Sequence, residues 1–197
     1  MTTRIAVLVS GGGTNLQSLI DAQARGELAG GEIALVLSSK PEAYALERAE
    51  TAGIPTAVVP RKGMTPESFD AALLAELDKW NISLLVLAGF LCVLGPLTLE
   101  RYRRCILNVH PALIPSFSGM GMYGLRVHQK ALEAGVKLTG ATVHFVSEAV
   151  DGGEIILQKA VDVLPGDTPE TLQRRVMEQA ERVLLPKAVA MFCREEI

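Results

Sequence analysis

The sequence predicts an α/β fold: a mostly parallel sheet with helices on both faces and a modified, antiparallel C-terminal part. Three observations predict it. In the first half, short continuous apolar runs alternate with segments of helical period. A glycine run, Gly11-Gly12-Gly13, joins the first apolar run to the first helix. In the second half the alternation gives way to two extended segments joined by Asp151-Gly152-Gly153.

The elements follow in order. Residues 5–9 are continuously apolar, as a strand buried on both faces requires. The helix after the glycines opens on Thr14-Asn15-Leu16-Gln17, a capping-box pattern, and Gly26 is its stop. Residues 33–37 form the second strand, 43–52 a helix ended by Gly53, and 56–59 a short third strand. Thr65-Pro66 opens a helix with proline in its first turn, and Phe69, Leu73, Leu74 and Leu77 recur along one face. Residues 84–88 are another buried strand, followed by a loop. This βαβαβαβ order gives a Rossmann-like parallel sheet. Further on, residues 105–109 form a strand and 111–124 a long loop rich in Pro, Gly, Ser and Met. A helix over 127–134 precedes antiparallel strands at 139–146 and 154–163. A long helix or helix pair spans 168–192, with Pro186 expected to bend it.

The length of 197 residues fits a single domain over 1–197, with an N-terminal half at about 1–105 and a C-terminal half at about 106–197. The chain is 49% hydrophobic with a formal net charge of −3, which argues against nucleic acid or an anionic membrane as partner. Cys92, Cys105 and Cys193 are widely spaced with no CxxC, the usage of a reducing, cytoplasmic compartment. The start runs straight into a strand, so no signal peptide is expected. The apolar run over 84–99 is broken by Gly89, Gly95 and Pro96 and is too short for a membrane span.

Two constellations carry chemistry. The first is Ser10-Gly-Gly-Gly-Thr-Asn15 between strand one and helix one. Glycines admit a ligand close to the backbone, and free amides at a helix N-terminus hold an anion. A dinucleotide fingerprint would put glycine where Leu16 stands and an acid where strand two ends in Ser38-Ser39, so a single phosphate is the better reading. The bland alternative is a tight turn with no ligand.

The second is Asn108-Val109-His110-Pro111 with Asp151. Two residues apart on a strand, Asn108 and His110 share a face. An amide and an imidazolium are donors for a developing oxyanion, and a carboxylate keeps the imidazole charged. That set suits acyl or formyl transfer without a metal or a nucleophilic side chain. Singly, each piece reads as loop hydrogen bonding or a plain hairpin turn. His128 is expected on a helix surface or in loop packing, and His144 either lines the cleft or is a satisfied core histidine. The three histidines lack zinc-ligand spacing. Cys92 and Cys105 have no readable base beside them.

These pieces together resemble the folate-dependent phosphoribosylglycinamide formyltransferases. The resemblance is carried by Ser10-Gly-Gly-Gly-Thr-Asn-Leu-Gln17, Leu87-Ala-Gly-Phe90, Leu107-Asn-Val-His-Pro-Ala-Leu-Ile-Pro115, Thr139-Gly-Ala-Thr-Val-His-Phe-Val146 and Asp151-Gly-Gly153, in family order over nearly the whole chain. It implies transfer of the formyl group of 10-formyltetrahydrofolate to the amine of glycinamide ribonucleotide in purine (IMP) synthesis, without a metal. By this resemblance Asn108, His110 and Asp151 are the catalytic set. Gly13, Thr14 and Asn15 hold the substrate phosphate and Glu181 touches the ribose. Leu91, Cys92, Val93 and Leu94 line the pterin pocket with Asn108 and Val146, and the segment 146–150 closes over the folate. Thr142 and His144 match cleft-lining positions. The assembly is a monomer or homodimer.

The chain departs from the family at Cys92 and Pro66, where many members carry Arg on the cofactor side; Arg61 and Lys62 are the cations of that stretch here. Many members read Glu-His where this chain reads Ala180-Glu181-Arg182, offset by one residue depending on the anchor. Three competitors share parts of the pattern. A formyltetrahydrofolate deformylase has the same triad with water as acceptor, but typically adds an N-terminal regulatory domain. A nucleotide- or NAD-binding module needs an acid after strand two and no triad. Methionyl-tRNA formyltransferase needs a basic C-terminal domain, which fits poorly with an acidic chain.

Overall fold

The computed structural model describes residues 2–197. Five parallel strands, β1 (Thr3–Val9), β2 (Gly31–Ser38), β3 (Thr56–Val58), β4 (Leu84–Leu87) and β5 (Ile106–His110), are extended by antiparallel β6 (Leu138–Phe145) and β7 (Ile155–Asp162). The sheet order is β3-β2-β1-β4-β5-β6-β7. The helices are α1 (Thr14–Ala24), α2 (Tyr44–Thr51), α3 (Pro66–Leu77), α4 (Pro96–Arg101), α5 (Leu125–Glu133), α6 (Pro169–Val176) and α7 (Arg182–Cys193).

The continuous apolar runs become the most deeply buried strands. Ala6 to Val9 and Leu84 to Val86 are sealed from solvent, because helices cover both faces. One core joins β1 residues Ile5, Val7 and Val9 to α1, α2, α6 and α7. The other joins Ala6 and Leu8 to Phe69, Leu73 and Leu77 of α3 and to Leu94 and Tyr102 at either end of α4.

The strand order reverses between β1 and β4, which opens a crevice at their carboxyl ends. The glycine loop leaves β1 there and the 88–95 loop leaves β4. They are stitched together: Ser10 N–H donates to the Gly89 carbonyl at 3.1 Å, and Leu91 N–H donates to Ser10 Oγ at 2.9 Å. The neighbouring β5 ends on His110. Antiparallel pairing then sets Asn108 opposite His144 and His110 opposite Thr142.

The structure corrects the sequence reading at three elements. The apolar stretch after β4 includes a helix, α4, with Pro96 in its first turn. Helix α1 starts from Gly13 in a left-handed conformation (φ 71°) with no side-chain cap bond, so the Thr14–Gln17 pattern is not a capping box. The C-terminal segment carries an irregularity the sequence reading does not foresee, upstream of Pro186, which itself lies inside α7. The irregular turn is a π turn over Met177–Glu181.

Asp70 anchors α4. Its buried carboxylate accepts Leu97 N–H at 2.8 Å, Thr98 N–H at 3.2 Å and the Thr98 hydroxyl at 2.5 Å. A carboxylate at a helix N-terminus satisfies amides that have no partner within the helix. Gly95 is required beside it, since a Cβ there would lie 2.4 Å from the carboxylate. Asp70→Ala strands three donors, and we expect a loss of about 2–4 kcal/mol of unfolding free energy. Urea denaturation checks this, and a loss under about 0.5 kcal/mol, the range of an ordinary surface change, would show that the carboxylate anchors nothing.

Candidate active site

A cavity of about 620 Å³ opens at the crevice. The end of β5 supplies Asn108 and His110, and α1 supplies Thr14 and Asn15. Leu91, Cys92 and Val93 come from the loop after β4, and Asp151 from the turn between β6 and β7. Met120, Met122 and Tyr123 enter from the 111–124 loop, His128 from α5, and Gln173, Met177 and Glu181 from the C-terminal helices.

Asp151 is the electrostatic centre. Its side chain is 9% exposed and lies between two imidazoles, with Oδ2 3.5 Å from His110 Nδ1 and Oδ1 3.7 Å from His144 Nε2. Gly119 N–H donates to Oδ2 at 2.9 Å and so ties the long loop to the carboxylate. Burial works to raise the Asp151 pKa, but the His144 ring, the Gly119 amide and the charge of His110 outweigh it and hold the carboxyl below its ordinary value. The residue takes a left-handed backbone, φ 55°, which Asp tolerates better than most residues. The glycines after it have a steric cause. A Cβ on Gly153 would lie 1.7 Å from the Phe145 carbonyl oxygen, and one on Gly152 would lie 2.7 Å from Ala149 Cβ.

His144 is almost fully buried, at 1% exposure, and both ring nitrogens are used. Nδ1–H donates to the Phe145 carbonyl at 2.9 Å, and Nε2 lies 3.0 Å from the Asn108 amide nitrogen and 3.7 Å from Asp151 Oδ1. It is a satisfied core histidine that also orients Asn108. An amide has two N–H groups, so Asn108 keeps one for the cavity. His110 Nε2–H donates to the Phe117 carbonyl at 2.8 Å. The sequence aims this donor at an oxyanion; the structure gives it to the long loop. Thr142 is sealed beneath that loop, donating to the Ala112 carbonyl and accepting from Ile114 N–H.

On the other wall, Asn15 Nδ2 donates to Glu181 at 2.7 Å. Burial pushes the Glu181 carboxyl up, partly countered by that amide and by Arg182. The first-turn amides of α1 carry no side-chain cap. Gly13 must be glycine, because its φ is positive and a Cβ would meet Ala45 at 2.7 Å. Gly11 and Gly12 have open space around them, so nothing in the fold requires glycine there. Arg48 donates to the Gly12 carbonyl at 2.8 Å and brings a cation to a loop that the sequence reading furnished with backbone alone.

Asn108, His110, Asp151, Thr14, Asn15, Leu91, Cys92, Val93 and Glu181 thus share one cavity. Three further expected residues stand outside its lining. Gly13 lies just behind Thr14, Leu94 is buried in the core, and Val146 lines a neighbouring cleft between α4 and the 147–154 segment. Leu94 belongs to the same apolar cluster as Phe90, against which Cys92 and Val146 pack. Arg61 binds the Met64 carbonyl and lies over the Phe69 ring, 5.7 Å from its centroid. The sequence does not bring His128, Gln173 and Met177 into the site; His128 is expected on a helix surface or in loop packing, yet the residue is fully buried. The helical stripe of α5, with Val127, His128 and Ala131 buried, is the signal that places it inward.

The formyl transferase family model matches residues 3–189. The chain is 43% identical to phosphoribosylglycinamide formyltransferase of Haemophilus influenzae, over 96% of this chain and 86% of that protein. It is also 43% identical to the human trifunctional purine biosynthetic protein adenosine-3, over 95% of this chain but only 18% of that much longer protein. The glycinamide ribonucleotide transformylase 1 structure from Symbiobacterium toebii superposes with a TM-score of 0.92 at 41% identity, covering 98% of this chain and 89% of that one. The phosphoribosylglycinamide formyltransferase structure from Brucella melitensis gives 0.87 at 44% identity, covering 98% and 96%.

The depressed Asp151 pKa has a consequence for folding. The ionised carboxylate stabilises the fold above the ordinary carboxylate range, and that stability is lost as pH falls through the lower, folded value. Asp151→Asn is therefore expected to be less stable than wild type near pH 7, with the gap closing in acid as pH falls below the ordinary carboxylate range. Denaturation midpoints against pH check this, and a gap that persists unchanged into acid would contradict it.

Proposed function

The chain belongs to the formyl transferase family, and from that premise we propose that it transfers the formyl group of 10-formyltetrahydrofolate to the amine of glycinamide ribonucleotide, in purine (IMP) synthesis. The observation that carries this reading is the convergence of Asn108, His110 and Asp151 on one cavity that also takes in the uncapped first turn of α1. Residues 1–197 are read as one formyltransferase domain, supported by the single seven-stranded sheet. The working partners are two small molecules, with no nucleic acid or membrane. Among the described residues no helix is long and apolar enough to cross a membrane.

The amine substrate's phosphate sits on the α1 N-terminus at Gly13, Thr14 and Asn15, with Glu181 toward its ribose. Leu91, Cys92, Val93 and Leu94 form the pterin wall, and Val146 packs against the same apolar cluster. The amine attacks the formyl carbon, a C–N bond forms and the carbonyl pair becomes an oxyanion. Asn108 donates its free N–H to that oxygen. His110 adds a second donor once the Phe117 carbonyl releases it, and its other nitrogen stays against Asp151. The bond to folate N10 breaks as the proton the amine gives up passes through the site or water to N10. Asp151 holds the His110 ring in place throughout.

Removing one oxyanion donor costs about 10²–10³ in rate, so Asn108→Ala is expected to fall by that factor in kcat while amine binding holds. Absorbance at the folate chromophore, with and without glycinamide ribonucleotide, is the measurement. Amine-independent turnover would assign the chain to formyltetrahydrofolate deformylases instead, and an Asn108→Ala enzyme at full rate would remove Asn108 from the mechanism.

A further inference from the structure

His110 and His144 make hydrogen bonds through at least one ring nitrogen each, but the third histidine of the chain does not. His128, on α5, has no exposed surface, and neither Nδ1 nor Nε2 has a hydrogen-bond partner among the described residues. It lines the cavity with His110, Gln173, Met177 and Glu181. Buried polar groups are almost always paired, so an unpaired imidazole at a cavity wall calls for a partner from outside the chain. A second atom makes the same demand. Asn15 Oδ1, in the same cavity, is buried and accepts nothing, although its amide nitrogen binds Glu181.

The partner's chemistry follows from these atoms. Burial, and then the charge of His110, lower the His128 pKa to about 4. The ring is neutral near pH 7, with one donor and one acceptor, and is no anchor for a phosphate. Asn15 Oδ1 and the Glu181 carboxyl call for a donor. A hydroxyl accepts from an imidazole and donates to a carbonyl or carboxyl at once, as neither a phosphate nor an apolar ring does.

We propose that His128 is a substrate-reading residue that hydrogen-bonds a ribose hydroxyl of the amine substrate. The assignment rests on the formyl-acceptor reading above and adds to it a residue that discriminates between sugars. It makes α5 part of the acceptor site.

The test is titration calorimetry on the full chain with glycinamide ribonucleotide and with its analogue lacking the ribose hydroxyls. Wild type is expected to bind the parent compound about tenfold or more tightly than the analogue. His128→Leu is expected to bind the parent about tenfold more weakly and to discriminate less between the two, with formyl folate binding unchanged. His128→Gln, which keeps a donor and an acceptor, should recover part of the discrimination. Thermal melting separates this from a structural role: an unpaired buried ring replaced by leucine should leave Tm unchanged or raised. A His128→Leu protein with wild-type affinity and discrimination overturns the proposal, as does one that loses folate binding and Tm together. Wild type that turns over formyl folate but binds no amine overturns this assignment and the acceptor reading alike. Wild type that uses the amine while His128→Leu matches it overturns this assignment only.

Discussion

A buried carboxylate must be compensated, and much of the catalytic end of this molecule is arranged around that requirement at Asp151. Desolvation alone would favour its neutral form. Two imidazoles and one backbone amide reverse that preference, and each comes from a different element. β5 brings His110, β6 brings His144 and the long loop brings Gly119. The charge thus joins three segments that are distant in sequence. The steric demand of Gly153 against Phe145 follows from the same placement, since the turn must press close to β6 to carry the carboxylate inward.

Sheet topology places the other half of the site. The order reverses between β1 and β4, so the loops leaving those strands diverge and leave a crevice. Ser10 bridges the two loops, and Asp70 with Gly95 holds the start of α4 beyond the second. The uncapped first turn of α1 opens toward the same space. An anion cradle and an apolar wall thereby have fixed relative positions, which a reaction between two bound molecules needs more than it needs any single strong contact.

The parallel strands were legible because a strand covered on both faces has to be continuously apolar, and residues 5–9 and 84–87 are. Asn108 and His110 were legible because their spacing leaves few ways to place them apart. What could not be read are features set by tertiary partners. The Thr14–Gln17 pattern satisfies the capping-box template, yet Gly13 in a left-handed conformation takes the cap position. α4 is short, and the carboxylate that caps it comes from α3. Nothing in the local sequence tells that His110 spends its outward donor on Phe117, or that His144 turns to hold Asn108.

The C-terminal helix shows how a local irregularity preserves a distant site. Pro186 has no N–H to donate and disturbs the turn before it, yet α7 runs through it and the π turn lies upstream, at Met177–Glu181. A π turn closes on one more residue than an α turn. The wider turn carries Met177 and Glu181 to the cavity while Leu184, Leu185 and Ala188 stay in the core. With a regular α-helix in that place, the residues beyond the turn would be rotated by about 100°, so that either Glu181 would leave Asn15 or the α7 stripe would leave the core. The winding defect lets both sets of contacts hold on one continuous segment.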